Sequence, residues 1–219
     1  MTGKRTTTAP FNADRPADIR IDLLLIANKI PAGSRVLDVG CGDGDLLHHL
    51  VHQRGVDGRG IELSQQGVNR CVTRGLSVIQ GNADTDLAFY PDKCFDYVIL
   101  SQTLQATHRP DKVLQELLRI GRRAIVSFPN FGHWRVRLNL LLAGKMPVTK
   151  RLDYPWYSTP NIHFCTVRDF VNLCADLNFV IEEGQGINSF GQPMPVSGNL
   201  WMANVFGTQG LFVIKRQDD

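Results

Sequence analysis

The chain has 219 residues, 43% of them hydrophobic and 21% charged, with a net charge of +3. That length supports one sizeable core in a single domain, the charge is too mild for a nucleic-acid binder, and no apolar run approaches the roughly 20 residues that cross a bilayer. Cys41, Cys71, Cys94, Cys165 and Cys174 form no C-x-x-C pair and are odd in number, the pattern of a reduced, cytoplasmic protein that uses cysteine as a small hydrophobe.

In chain order, residues 1–17 read as a disordered leader lacking the apolar core of a secretory signal, and residues 18–219 as one domain. Strand-like apolar runs recur at Val36–Val39, Arg59–Leu63, Leu76–Gln80, Phe95–Leu100 and Ala124–Phe128. Leu46, Leu47, Leu50 and Val51 make one helical stripe. Ser64 caps a second helix that Gly75 ends, and Pro110-Asp111 begins a third, carrying Val113, Leu114, Leu117 and Leu118 and closed by Gly121. Alternating strands and helices predict right-handed crossovers and a parallel sheet covered on both faces. After Phe128 the pattern becomes irregular, with a short apolar helix and a stretch rich in Pro, Tyr and Trp. A helix over "TVRDFVNLCADL" follows, with Thr166 and Asp169 as a near capping box. Two strands, "NFVIEEG" and "GLFVIKR", close the chain, and the link between them holds a short element at Leu200–Phe206.

The stretch "VLDVGCGDGDLL", residues 36–47, joins the first strand to the first of these helices through Gly40, Gly42 and Gly44. Three alternating glycines exceed what a bare turn needs. No G-K-[ST] follows, which excludes a P-loop, and the spacing is G-x-G-x-G where a dinucleotide-binding loop has G-x-G-x-x-G. Asp38, Asp43 and Asp45 in and around the turn oppose a pyrophosphate at the helix N-terminus and favour a cation. S-adenosylmethionine, with a sulfonium, an ammonium and no phosphate, matches that preference. Glu62, ending the second strand, suits the two ribose hydroxyls, a feature shared with NAD sites. Asn82, Ala83 or Asp84 at the third strand's end faces the adenine edge, and the fourth strand ends at "LSQT" beside the methionyl group. All four pieces converge outside the carboxyl ends of the strands, where open α/β sheets bind ligands.

With these residues in place, the chain from about Ile21 to Arg216 resembles class I S-adenosylmethionine-dependent methyltransferases and, more narrowly, the MetW family of methionine-biosynthesis proteins. The glycine turn is class-specific. The narrower resemblance lies in "FDYVILSQTLQATHRPDKVLQELLRIGRRAIVSFPNFGHWRVRL", "KMPVTK" and "WYSTPNIHFCT". It implies a Rossmann-like α/β fold with a seven-stranded, mostly parallel sheet, helices on both faces and a small cap insertion after the fifth strand. It places Asp38, Gly40, Cys41, Gly42 and Gly44 around the methionyl part of S-adenosylmethionine or S-adenosylhomocysteine, Glu62 at the ribose, Asn82 with Ala83 at the adenine and Ser101 near the methionyl end. Asn82 departs from the family's usual aspartate, and Asp84 is a nearby acid to compensate. The resemblance further implies action with homoserine O-acyltransferase in methionine biosynthesis.

Methyl transfer from a sulfonium requires chiefly that the acceptor be positioned, with a base only where a proton must leave. The sequence Ser101-Gln102-Thr103-Leu104 is not the Asn/Asp-Pro-Pro-aromatic motif of enzymes that methylate exocyclic or amide nitrogens. Asn130, His133, Tyr154, Tyr157, His163 and Cys165 fall over the crevice. His133 and His163 are the candidate bases, with structural hydrogen bonding as the competing role. His48, His49 and His52 read as a solvated helix face, so no metal is expected. The segment His133–Arg151, with Arg135, Arg137, Lys145, Lys150 and Arg151 beside Trp134 and Leu140–Leu142, reads either as a packed helix with a basic rim or as a protein docking surface. Gly144 and Pro147 break it as a membrane-surface helix. A free-standing methyltransferase for a small molecule is the rival function, and a nicotinamide-dependent oxidoreductase a distant third.

Overall fold

The computed structural model describes residues 19–146, 148 and 155–217. The expected leader, Lys150, Arg151 and Tyr154 lie outside the described residues. Strands β1 (Arg35–Val39), β2 (Asp57–Glu62), β3 (Ser77–Gln80), β4 (Phe95–Ser101), β5 (Gly121–Pro129), β6 (Phe179–Ile187), β7 (Pro193–Pro195) and β8 (Gln209–Arg216) build one sheet in the order β3-β2-β1-β4-β5-β8-β6-β7. The first five run parallel, and β8 is antiparallel to both β5 and β6. Seven of these strands match the expected architecture. The eighth, β7, is a Pro-Met-Pro segment antiparallel to β6 at the sheet edge. Proline is tolerated there because an edge strand leaves N–H positions unpaired, and for the same reason no strand pattern marks it in sequence.

Helices α1 (Ile21–Ala27) and α2 (Asp45–Arg54) cover one face, where Leu23, Ile26, Ile30, Leu46 and Leu50 pack on Val36, Ile99, Ile125, Leu211 and Val213. On the other face α4 (Pro110–Ile120), α6 (Val167–Asp176) and α7 (Leu200–Phe206) enclose the larger core. Its centre is Phe128, Phe170 and Phe212, with ring centroids 4.6–5.9 Å apart. Helix α3 (Gln65–Thr73) joins α2 in a small cluster of Leu47, Val68, Cys71, Leu76 and Val78 beyond β2. Helix α1 was not anticipated: seven residues give too little periodicity to read.

The local signals act as expected. Thr166 Oγ1 accepts from Asp169 N at 3.1 Å while Asp169 Oδ2 accepts from Thr166 N, a complete capping box with aspartate in place of glutamate. Gly121 ends α4 and starts β5 with no loop between them. A Cβ there would lie 2.5 Å from Val98 Cγ2, so only glycine lets the chain turn this close to β4. The parallel strands thus deliver the ends of β1, β2, β3 and β4 to one edge, and α5 (Trp134–Ala143) leaves from the end of β5 beside them.

Candidate cofactor site

The glycine turn is pinned from beneath: Gly40 N and Cys41 N both donate to Ile61 O of β2, at 2.8 and 3.2 Å. Gly40, Gly42 and Gly44 all have positive φ, between 58° and 77°. Gly40 carries a second constraint, because a Cβ would stand 2.5 Å from Thr103 Oγ1 just past β4. Gly40→Ala is expected to cost about 1–3 kcal/mol of stability through backbone strain and to weaken cofactor binding at least about tenfold, a loss of roughly 1.4 kcal/mol. Adding Thr103→Ala should recover the part due to the clash and none of the part due to φ, which thermal denaturation and calorimetry of the double variant separate.

The charges of the turn differ from the expected set. Asp43 pairs with Arg70 Nε at 2.7 Å and Asp45 with Arg74 at 2.7 Å, both at the surface. These two acids are therefore compensated, and the preference for a cation falls to Asp38 and Glu62 alone. Asp38 is 2% exposed, its Oδ1 has no hydrogen-bond partner, and burial together with the nearby Glu62 carboxylate pushes its pKa up to about 7. A carboxylate so placed is costly until a cation reaches it. Glu62 accepts from Gly42 N at 2.8 Å through Oε2 and from Ser64 N at 2.9 Å through Oε1, which orients the group and leaves each oxygen a lone pair for a hydroxyl.

At the third strand's end, Asn82 Oδ1 accepts from Asp84 N, and Asp86 Oδ2 accepts from Asn82 N. The Asp84 carboxylate accepts the backbone N–H groups of His108 and Arg109 at 3.0 Å, tying this turn to the start of α4. Ala83 packs against the main core. Ser101 Oγ shares a 3.1 Å hydrogen bond with Ser127 Oγ of β5. The Cys41 thiol lies over Gly60, where a Cβ would meet Sγ at 2.8 Å, and burial holds it protonated.

Other sequence candidates occupy varied positions. Asn130 is buried and wholly engaged: Nδ2 donates to Asn204 O and Gly207 O, both at 2.7 Å, and Oδ1 accepts from Gly132 N and Val167 N. It is a structural junction and not a group facing the crevice. His133 Nδ1 accepts from Arg135 N at the start of α5, and burial with the Arg135 charge lowers its pKa. His163 Nε2 lies 3.4 Å from His108 O. The Cys165 thiol is pushed up to about 12 by burial, and Tyr157 is exposed. The His48 and His52 rings lie 4.3 Å apart, tilted by 48°, and among the described residues no group of three His, Cys, Asp or Glu is placed to hold a metal ion.

One feature is absent from the sequence reading and a second decides between its alternatives. Every buried side-chain polar atom lacking a partner among the described residues belongs to Asp38, Gln102, Gln105 or Gln209, all at this one edge of the sheet. Nothing in the sequence marks those glutamines as buried. The second feature is that α5 buries Val136 alone and turns Leu141 (80% exposed), Leu142 (75%), Leu138 and Trp134 to solvent, with Arg135 over the Trp134 ring at 5.3 Å. The docking alternative for His133–Arg151 thus has an apolar helix face to use that is exposed among the described residues. No described helix is long and apolar enough to cross a membrane.

A family profile described as methionine biosynthesis protein MetW matches residues 20–214. A "Bifunctional methionine biosynthesis protein MetXA/MetW" from Rhodopirellula baltica is 38% identical over 179 residues, 77% of this chain and 29% of that protein, so the chain spans less than a third of this relative's length. Among solved structures, S-adenosylmethionine-dependent methyltransferases from Thermotoga maritima and Mesorhizobium loti each superpose with a TM-score of 0.65 at 16% identity. The match covers 89% of this chain and 87% of the Thermotoga chain, and 91% of this chain and 99% of the Mesorhizobium chain. The sheet order, the glycine turn and these matches agree: the chain belongs to the MetW family of methionine-biosynthesis proteins, built on the class I methyltransferase fold.

Proposed function

We propose that this protein binds S-adenosylmethionine or its demethylated product in the crevice and acts with homoserine O-acyltransferase, activating or regulating it, in cytoplasmic methionine biosynthesis. The cofactor fits the residues present. Asp38 takes the ammonium end, Glu62 the ribose hydroxyls, the turn from Gly40 to Gly44 supplies close backbone, Asn82 and Ala83 flank the adenine, and Ser101 adjoins the methionyl end. When bound, the sulfonium supplies an activated methyl group. The observation that carries the partnership is α5, an apolar helix with arginines and no acid, exposed beside the crevice mouth. The Rhodopirellula relative, whose name joins MetXA to MetW in one chain, supports the same pairing.

Leu141 and Leu142 stand clear of the core, so Leu141→Glu with Leu142→Glu should leave stability within about 0.5 kcal/mol. The same pair should weaken acyltransferase binding at least about tenfold, as loss of central apolar anchors does. Size-exclusion chromatography of the mixture and the acyltransferase rate with and without this protein check both. Unchanged co-elution by the double variant, or an acyltransferase rate indifferent to saturating wild-type protein, would overturn the pairing.

A second reading, a free-standing methyltransferase acting on a small molecule, is favoured by the unpartnered glutamines next to the methionyl end. Transfer of labelled methyl into a metabolite extract lacking the acyltransferase tests it. Substitution of His133 or His163 should then lower turnover more than cofactor affinity if either is the base.

A further inference from the structure

Of the five unpartnered buried polar atoms at the sheet edge among the described residues, the cofactor reading uses only Asp38 Oδ1; the others are Gln102 Nε2, Gln105 Oε1 and both amide atoms of Gln209. Gln209 is the most demanding case. It opens β8, fully buried, opposite Pro129 of β5 and Ile187 of β6. Leu211 and Val213, next along the same face of the strand, are buried apolar residues, so an aliphatic side chain is what this surface ordinarily accepts. An amide held there with nothing to bond is a buried polar group paying its full desolvation cost.

The groups near it are not random either. Ser127 pairs with Leu211 and so lies diagonal to Gln209 on the same face, and its hydroxyl meets Ser101 Oγ at 3.1 Å. Ser101 stands opposite Ser127 and two residues beyond Ile99, the register partner of Asp38. Asp38, Ser101, Ser127 and Gln209 thus form a polar track across four adjacent strands, on a face otherwise built of Val36, Ile99, Ile125, Leu211 and Val213. At about 4.8 Å per strand, Gln209's strand lies roughly 10 Å from β4, the length of a small molecule.

We propose that this track is a second ligand site, taking a small uncharged molecule that presents an amide-like edge, with a hydrogen-bond donor and acceptor side by side. The Gln209 carboxamide pairs with that edge, and the Ser127 and Ser101 hydroxyls line the way to the cofactor space. The ligand is uncharged because, of the four residues of the track, only Asp38 carries a charge, which the proposed cofactor site assigns to the ammonium, and an unpaired charge here would be buried at high cost. The inference rests on the proposed cofactor site for its role beside the methionyl end; the track itself stands without it.

The test titrates propionamide against the full chain saturated with S-adenosylhomocysteine, followed by ligand-observed NMR, with propionate as the charged control. Propionamide is expected to bind at about 1–10 mM, as a five-heavy-atom probe does, and propionate at least about tenfold more weakly. Gln209→Leu, which suits the apolar face, should weaken propionamide about tenfold or more, and Ser127→Ala about threefold, with both keeping S-adenosylhomocysteine affinity within about twofold of wild type. Propionamide that fails to bind at about 100 mM, far above the expected range, or that binds both variants as well as wild type, would overturn the proposal and leave the amide to a buried water only. A separate titration of S-adenosylhomocysteine into unliganded protein isolates the other reading. If that ligand does not bind, the cofactor site fails, and propionamide titrated into the unliganded chain still decides the track.

Discussion

Replacing Asp38 with asparagine is expected to weaken S-adenosylhomocysteine binding about 100-fold while making the unliganded protein more stable at neutral pH. The carboxylate sits beneath the glycine turn with one oxygen unpartnered, and burial beside Glu62 raises its pKa to about 7. Removing one member of a buried charge pair costs about 2–5 kcal/mol of binding, and 3 kcal/mol is about two orders of magnitude. Stability moves the opposite way. The folded-state pKa lies above the unfolded value near 3.8, so the unfolded chain gives up its proton first, and unliganded wild type loses stability as pH rises from about 4 to about 7. The asparagine variant lacks that slope. A bound ammonium reverses it by favouring the ionised form, so wild-type affinity should climb with pH up to about 7 and then level off, with proton release visible in buffers of different ionisation heat. The variant should show neither. Equal affinities, or a wild-type profile flat across pH 5–8, would remove Asp38 as the ammonium's partner.

The half of the fold that builds this crevice was legible because β1, β4 and β5 are short apolar runs and the helices between the strands carry cap and glycine signals. Ser64, Gly75, Pro110 and Gly121 mark the ends of α3 and α4 to within a residue. Reading failed where the decisive contact joins residues distant in sequence. Arg70 and Arg74 lie on what looks like an ordinary polar helix face, and only the fold brings them to Asp43 and Asp45, 27 and 29 residues earlier. The backbone N–H groups of His108 and Arg109 that Asp84 accepts lie 24 and 25 residues away and are likewise invisible in sequence. The glutamines show the same limit from the other side: a polar residue carries no sign in sequence that it will be buried, because burial is decided by what packs over it. The apolar letters of α5 fitted a packed helix and a docking surface equally, because sequence does not say what covers a helix. In the fold only Val136 of α5 is buried, and Leu138, Leu141 and Leu142 stay exposed.

Asn130→Ala should produce the largest loss of stability of any substitution considered, about 3–5 kcal/mol, or roughly 10 °C in melting temperature for a domain of this size. One carboxamide satisfies four backbone groups at the place where four elements meet. It bonds Gly132 N ahead of α5, Val167 N at the start of α6, and Asn204 O and Gly207 O at the end of α7. Truncation leaves two donors and two acceptors buried with nothing to replace them, since the site is 2% exposed. Asn130→Asp is no remedy: it keeps the acceptor and sets a carboxylate against two carbonyl oxygens, so it should be at least as damaging. The effect should also be local. Hydrogen exchange should quicken in α6, α7 and the first turn of α5, while β1, β2 and β3, which share no bond with Asn130, keep their protection. That separation bears on the proposed function, because the proposed docking helix and the proposed cofactor turn are then held by different parts of the sheet. In the alanine variant, acyltransferase binding should fall further than S-adenosylhomocysteine binding when both are measured well below the melting point. A stability loss under about 1 kcal/mol, or equal damage to both partners, would show that α5 is positioned by something other than this junction.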